Sequence, residues 1–311
     1  MNTWTEALIP DQSDRVVVIT GANSGIGLEA ARMLAARNAH VVLACRTRSK
    51  ANAARDQILV GTPSATVSLI DLDVSSLASV ATAAAQIRDQ FQRLDLLVNN
   101  AGVMATPYQQ AVDGFELQFV TNHLGHVALT AHLLPMLLST PHARVVNVSS
   151  LAHRMGRIDF DDLQSTRRYR AWRAYGQSKL ANLLFTFELQ RRLAAAGADT
   201  IAVAAHPGLS ETNLAASSGG MSGRLMSLAK PLAKVFSQSA HAGALPTVRA
   251  AIDPGARGGE YYGPGGFMEQ RGAPEQVKAS AAAHDTAVAD RLWKVSVELT
   301  AVPFAGFDSA G

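Results

Sequence analysis

Short β-branched runs alternate along the chain with longer segments whose apolar residues recur at spacings of three and four. The runs are Val16-Val17-Val18-Ile19, Val41-Val42-Leu43, Val67-Ser68-Leu69-Ile70, Leu96-Leu97-Val98, Val145-Val146-Asn147-Val148 and Ile201-Ala202-Val203-Ala204. Helical spacing marks the intervening stretches 26–37, 77–91, 115–138 and 179–193. Strands that are apolar at nearly every position need cover on both faces, which predicts an α/β fold with a doubly wound parallel sheet and right-handed crossovers. A last strand is expected at Glu260-Tyr261-Tyr262 and a closing helix over 286–299. No linker composition interrupts the pattern, so 1–311 reads as one domain behind a short arm at 1–14. Glycine and serine at 217–223 lead to an amphipathic stretch at 224–236, and the segment 209–240 reads either as a substrate-site lid or as an ordinary surface loop and helix.

Composition narrows what such a fold can do. The chain has 311 residues, 48% hydrophobic and 17% charged, which excludes disorder and a coiled coil. Twenty-eight basic against 25 acidic residues leave a net charge of +3, spread rather than blocked into runs, so neither nucleic acid nor a polybasic membrane contact is indicated. Cys45 stands alone, without a partner for a disulfide or a multi-cysteine metal site, and points to a reducing compartment, with the cytoplasm expected. Glu6, Asp11, Asp14 and Arg15 break any signal-peptide pattern, and the greasiest stretch, 127–138, is interrupted by His132 and Pro135. It falls short of the roughly 20 apolar residues that cross a bilayer.

Chemistry concentrates at strand ends. The first strand runs into Thr20-Gly21-Ala22-Asn23-Ser24-Gly25-Ile26-Gly27, immediately followed by a helical pattern. Glycines there allow a tight turn and close backbone approach to a pyrophosphate held on the helix N-terminus, although a glycine turn can also serve packing alone. At the end of the second strand, where an acidic residue would hold a free ribose hydroxyl, the chain offers Cys45-Arg46-Thr47-Arg48. A guanidinium matches a phosphate, so Arg46, helped by Arg48, favours NADP over NAD; the alternative is two solvated loop charges. Tyr175 and Lys179 lie one helical turn apart, placing an ammonium beside a phenol that needs its pKa lowered by about 3 for acid–base work near neutrality.

Taken together, Thr20 to Gly27, Asp73-Val74, Asn99-Asn100-Ala101-Gly102, Asn122, Ser149-Ser150, Tyr175 with Lys179, Pro207-Gly208 and Thr212 resemble the short-chain dehydrogenase/reductase family over essentially the whole chain. The resemblance implies a Rossmann-type sheet of about seven strands in the order 3-2-1-4-5-6-7. It implies a catalytic tetrad of Asn122, Ser150, Tyr175 and Lys179, with Ser149 structural. Gly21, Asn23, Ser24, Gly25, Ile26 and Gly27 would then cradle the pyrophosphate, and Asp73 and Val74 the adenine. Asn100, Ala101 and Gly102 would lie beside the ribose, with Pro207, Gly208, Leu209 and Thr212 beside the carboxamide. Asp73 has a plain alternative as the N-cap of the next helix. In carbonyl reduction Ser150 and Tyr175 would bind the substrate oxygen, Tyr175 would donate the proton, Lys179 would bind the ribose and lower the phenol's pKa, and Asn122 would hold a water in the proton relay.

Twenty-five positions separate Ser150 from Tyr175, longer than in many family members. That insertion, Asn122-His123-Leu124-Gly125-His126 and the tail from Tyr261 to Trp293 resemble the branch of retinol dehydrogenases, WW-domain oxidoreductases and protochlorophyllide reductase. The expected activity is an NADP(H)-dependent oxidoreductase, with NAD(H) possible, acting on a fairly apolar carbonyl or alcohol. A catalytically silent NADP-binding sensor and a carbon–carbon double-bond reductase are the alternatives. No metal is expected: His123 and His126 stand three apart without a carboxylate or thiol set nearby. Family members often pair through the helices that here begin near Phe115 and Trp172, which makes a homodimer an expectation.

Overall fold

The computed structural model describes residues 4–209 and 238–307. Seven parallel strands, β1 (Val16–Thr20), β2 (His40–Cys45), β3 (Thr66–Asp71), β4 (Leu96–Asn99), β5 (Arg144–Val148), β6 (Ile201–Ala205) and β7 (Tyr261–Pro264), form one sheet with an antiparallel edge strand, β8 (Pro274–Gln276). Their order is β3-β2-β1-β4-β5-β6-β7-β8, as the resemblance implies for the first seven. Register is continuous across the centre: Val17 pairs with Val41 and Leu96, and Val98 with Val146.

Alternation along each strand sends side chains to two layers, since successive residues point to opposite faces. Val17, Ile19, Val41, Leu43 and Val98 pack with α1 (Gly25–Ala35), α2 (Arg48–Gly61) and α6 (Ala240–Ile252). Val16, Val18, Val42, Leu97 and Val145 pack with α3 (Leu77–Gln90), α4 (Gly125–Ser139), α5 (Ala171–Ala195) and α7 (Thr286–Thr300). α7 lies on α5, where Trp293 stacks on Phe185 at 5.6 Å and meets Phe304 at 4.2 Å. Two features shape the site region. A π-helical turn, Val120–Leu124, precedes α4, and a 3₁₀ helix, Leu151–Met155, follows β5. α4 continues through Pro135 without ending there. Thr212 and nearly all of 209–240 lie outside the described residues.

Candidate active site

β1 ends at Thr20, whose hydroxyl organises the neighbouring loop. It accepts the N–H groups of Asn100 and Ala101, each at 2.9 Å, while Asn100 Nδ2 donates to the Thr20 carbonyl at 2.8 Å. The chain then turns through Gly21 at φ +67° and enters α1 at Gly25, φ +56°. A side chain on Gly27 would put Cβ 2.5 Å from Asn100 Nδ2 and 2.7 Å from the Gly21 carbonyl, so the turn closes only with glycine there. Asn23 and Ser24 complete the loop, and Ile26 is buried beneath it. Ser24 sits at the N-cap of α1 without accepting a hydrogen bond, so its side chain leaves the first-turn N–H groups unclaimed. This donor set suits a pyrophosphate.

Further along the same sheet edge, Asp73 Oδ1 accepts from the Ser75 N–H at 3.0 Å and from its hydroxyl at 2.6 Å. The N-cap of α3 is Ser76, not Asp73; its side chain accepts from Ser79 N. Val74 is buried, with its carbonyl against Gly125. Arg46 extends from the end of β2 with 70% of its side chain exposed and Nη1 3.9 Å from Asp73 Oδ2. Arg48 donates to the Leu69 carbonyl at 3.2 Å and faces Asp71 at 3.6 Å. Arg46 is therefore the more available guanidinium. Burial raises the Cys45 thiol to about 11, leaving it neutral and unreactive near pH 7.

Beyond β4 and β5, four polar side chains converge. Asn122 lies in the π-helical turn, where Nδ2 donates to the Val103 carbonyl at 3.0 Å and to Ser178 Oγ at 2.9 Å, and Oδ1 accepts from Val103 N at 2.8 Å. Lys179 Nζ donates to the Val148 carbonyl at 3.1 Å. Gly102 stands between them: a Cβ there would lie 2.9 Å from Asn122 Oδ1 and 3.5 Å from Lys179 Nζ. Ser149 spends its hydroxyl on the Lys179 carbonyl at 2.8 Å, whereas Ser150 Oγ accepts the Ala152 N–H at 3.2 Å and lies close enough to the Tyr175 phenol to pull its pKa down. Burial drives Tyr175 up to about 12, against the pull of Ser150, and drives Lys179 down to about 8. At neutral pH the phenol is thus protonated and the ammonium charged. Lys179 Nζ lies 5.8 Å from the Tyr175 ring centre.

His126 joins the two halves of this edge. Nδ1 lies 3.2 Å from the Asn122 carbonyl and Nε2 lies 2.9 Å from Thr20 Oγ1. One arrangement satisfies every atom: Nδ1–H donates to Asn122, and Thr20, already accepting twice, donates to Nε2. Burial lowers His126 to about 4, which keeps that neutral form. The chain position four after Asn122 on a helix could have suggested this link. His123 turns instead toward α7, with Nε2 2.9 Å from Ser296 Oγ. Tyr169 is tied down by Gln118 and the Thr106 carbonyl, both at 2.7 Å, while the exposed Trp172 meets the Tyr175 ring edge-on at 6.0 Å. After β6, Pro207, Gly208 and Leu209 follow His206 along the same edge, with the Leu209 N–H donating to the Gln270 carbonyl at 2.9 Å. Among the described residues no group of three metal-ligating side chains comes together, and no helix is long and apolar enough to cross a membrane.

The family model for short chain dehydrogenases matches residues 15–222. Human retinol dehydrogenase 12 is 41% identical over 290 residues, covering 93% of this chain and 87% of that protein. A crystal structure of an uncharacterised protein from Mycobacterium paratuberculosis superposes with a TM-score of 0.80 at 44% identity, covering 97% of this chain and 99% of that one. The Pseudomonas aeruginosa RhlG/NADP active-site complex shares the fold, with a TM-score of 0.64 at 23% identity over 81% of this chain and 94% of that one.

Proposed function

Because the chain belongs to the short-chain dehydrogenase/reductase family, we propose that its active site is an NADP(H)-dependent one, exchanging hydride between the nicotinamide and a carbonyl or alcohol carbon. The observation that carries this reading is the convergence of Tyr175, Ser150, Lys179 and Asn122 beyond β4 and β5, on the sheet edge that also bears the glycine turn. Gly21 to Gly27 would hold the pyrophosphate, Asp73 and Val74 the adenine, Asn100 to Gly102 and Lys179 the ribose, and Pro207 to Leu209 the carboxamide. Arg46 would meet the 2′-phosphate. Bound there, the cofactor supplies the hydride and a positive ring in its oxidised form.

The chain's own groups account for the proton. Tyr175, protonated at neutral pH, donates toward a carbonyl oxygen that Ser150 also binds, which polarises the carbonyl for attack at carbon. Lys179 stabilises the phenolate that this leaves. Asn122 has committed its amide to Val103 and Ser178, so its part in a water relay runs through its main-chain carbonyl, where His126 donates. Met155 and Trp172, both exposed, flank the turn of α5 that carries Tyr175, which supports an apolar substrate. Retinal belongs among the candidates because the relative quoted above is named a retinol dehydrogenase.

One dinucleotide-binding domain over 1–311 and a cytoplasmic setting complete the reading. A homodimer through α4 and α5 would have to form around α7, which packs against α5 and against the helix leading into α4. The test is oxidation of NADPH and, separately, NADH against aldehydes, ketones, quinones, enones and retinal. Turnover with NADPH should fall by about 10²–10⁴ in Tyr175→Phe while NADPH binding persists. Binding without turnover of any compound by either protein would favour a silent sensor. Reduction confined to enones, with loss of the double bond, would favour a double-bond reductase.

A further inference from the structure

Three loops at the carboxyl ends of β5, β6 and β7 meet around one carboxylate. Glu269, in the connection between β7 and β8, receives Arg154 Nη2 on Oε1 at 2.6 Å and faces His206 Nε2 through Oε2 at 3.1 Å. Arg154 belongs to the 3₁₀ helix that starts immediately after Ser150, and His206 immediately precedes Pro207. His206 is fully buried, and its other ring nitrogen, Nδ1, lies 3.2 Å from the Gly208 N–H. An N–H can only donate, so Nδ1 must be the acceptor and the ring proton must sit on Nε2, directed at Glu269.

The surroundings permit little adjustment. Gly208 has φ +64°, and a Cβ there would meet the Gln270 carbonyl at 2.4 Å; one on Gly263 would lie 2.0 Å from His206 Nε2. Met268 and Glu269 both hold left-handed backbone, at φ +50° and +57°, a conformation costly for side-chain-bearing residues. On the Ser150 side, His153 Nδ1 lies 2.7 Å from the Ser150 carbonyl, with Nε2 accepting the Ser280 N–H at 3.1 Å.

We propose that Glu269 is a positioning residue for the nicotinamide end of the cofactor: bridging Arg154 and His206, it fixes the His206 tautomer that receives the Gly208 N–H, and so holds 207–209 in register with Ser150. Protonated or flipped, His206 would present a second donor to Gly208, and the loop would move. The inference rests on the reading of 207–209 as the carboxamide loop. It adds a control element that neither the glycine turn nor the tetrad contains.

The test compares NADPH with 2′,5′-ADP, which carries the adenosine end and its phosphates but no nicotinamide. Dissociation constants for both are measured by calorimetry on wild-type protein, Glu269→Gln, Arg154→Ala and Arg154→Lys, beside thermal melts and turnover. Glu269→Gln keeps the shape but cannot accept from Arg154 and from the His206 ring proton at once. It should weaken NADPH about tenfold, leave 2′,5′-ADP within about twofold, and lower kcat. Arg154→Ala, at a half-exposed side chain that the fold tolerates losing, should move NADPH the same way by about threefold, and Arg154→Lys should restore it. Equal weakening of both ligands would reduce Glu269 to a structural role and overturn the proposal, as would unchanged NADPH binding in Arg154→Ala and Glu269→Gln. Wild-type protein that binds 2′,5′-ADP but gains nothing from the nicotinamide half would overturn the loop reading itself, and the proposal with it.

Discussion

Arg46 and Arg48 are two residues apart and chemically identical, yet the fold gives them different work. Arg48 is drawn back onto the end of β3 by the Leu69 carbonyl and Asp71, while Arg46 stays extended over Asp73. Arg46→Asp should therefore weaken NADPH by about a hundredfold while changing NADH by no more than a few-fold, read as two dissociation constants. Equal losses would remove the 2′-phosphate from the argument. The sequence already named both arginines, because a strand end followed by a basic pair is a local pattern; which one remains available depends on Leu69 and Asp71, more than twenty positions away. His126 was legible only in part for the same reason. Its spacing from Asn122, whose carbonyl fixes the tautomer, is local, but the hydroxyl that completes the link belongs to Thr20, 106 residues distant.

At the scale of elements, the strands and long helices follow from their apolar periods, and the misses have physical causes. α2 buries Ala51 and Ala54 beside Ile58, and α6 buries mainly small residues, Gly243, Ala244, Thr247, Ala250 and Ala251, so the contrast between their faces is shallow. β8 has three residues, too few for a period of two to register. The π-helical turn adds one residue to a helical circuit without changing residue types, and it is this turn that carries Asn122. The glycine turn was legible because its constraint is steric and local. Gly27→Ala places a methyl group against Asn100 Nδ2 and the Gly21 carbonyl, and we expect a loss of about 1–3 kcal/mol in denaturant unfolding together with weakened NADPH binding. An unchanged midpoint would mean that the Asn100 side chain swings aside and the Gly21 carbonyl also gives way.

For the molecule as a whole, buried neutral imidazoles set an acid limit. Burial holds His123 at about 3, and His126 and His153 at about 4, below the ordinary 6.5. A histidine lowered on folding contributes fully above 6.5 and loses that contribution as pH falls toward its folded value. Between pH 7.5 and pH 5 each should cost the fold about 2 kcal/mol, a loss that buried Glu116, shifted upward, partly offsets. Urea midpoints across that range measure the slope; a flat profile would contradict three neutral buried rings. The same layer has another consequence. α7 supplies Trp293 to the aromatic stack on Phe185 and Ser296 to His123, so it braces the helix bearing Tyr175 and Lys179 and the turn bearing Asn122. The helix bearing Tyr175 and Lys179 leaves the ribosome about a hundred residues before this support does, and the turn bearing Asn122 earlier still, at roughly 5–20 residues per second. For several seconds of every synthesis, the catalytic helices exist with an uncovered apolar flank, and a nascent chain stalled before Thr286 would be a natural client for chaperones.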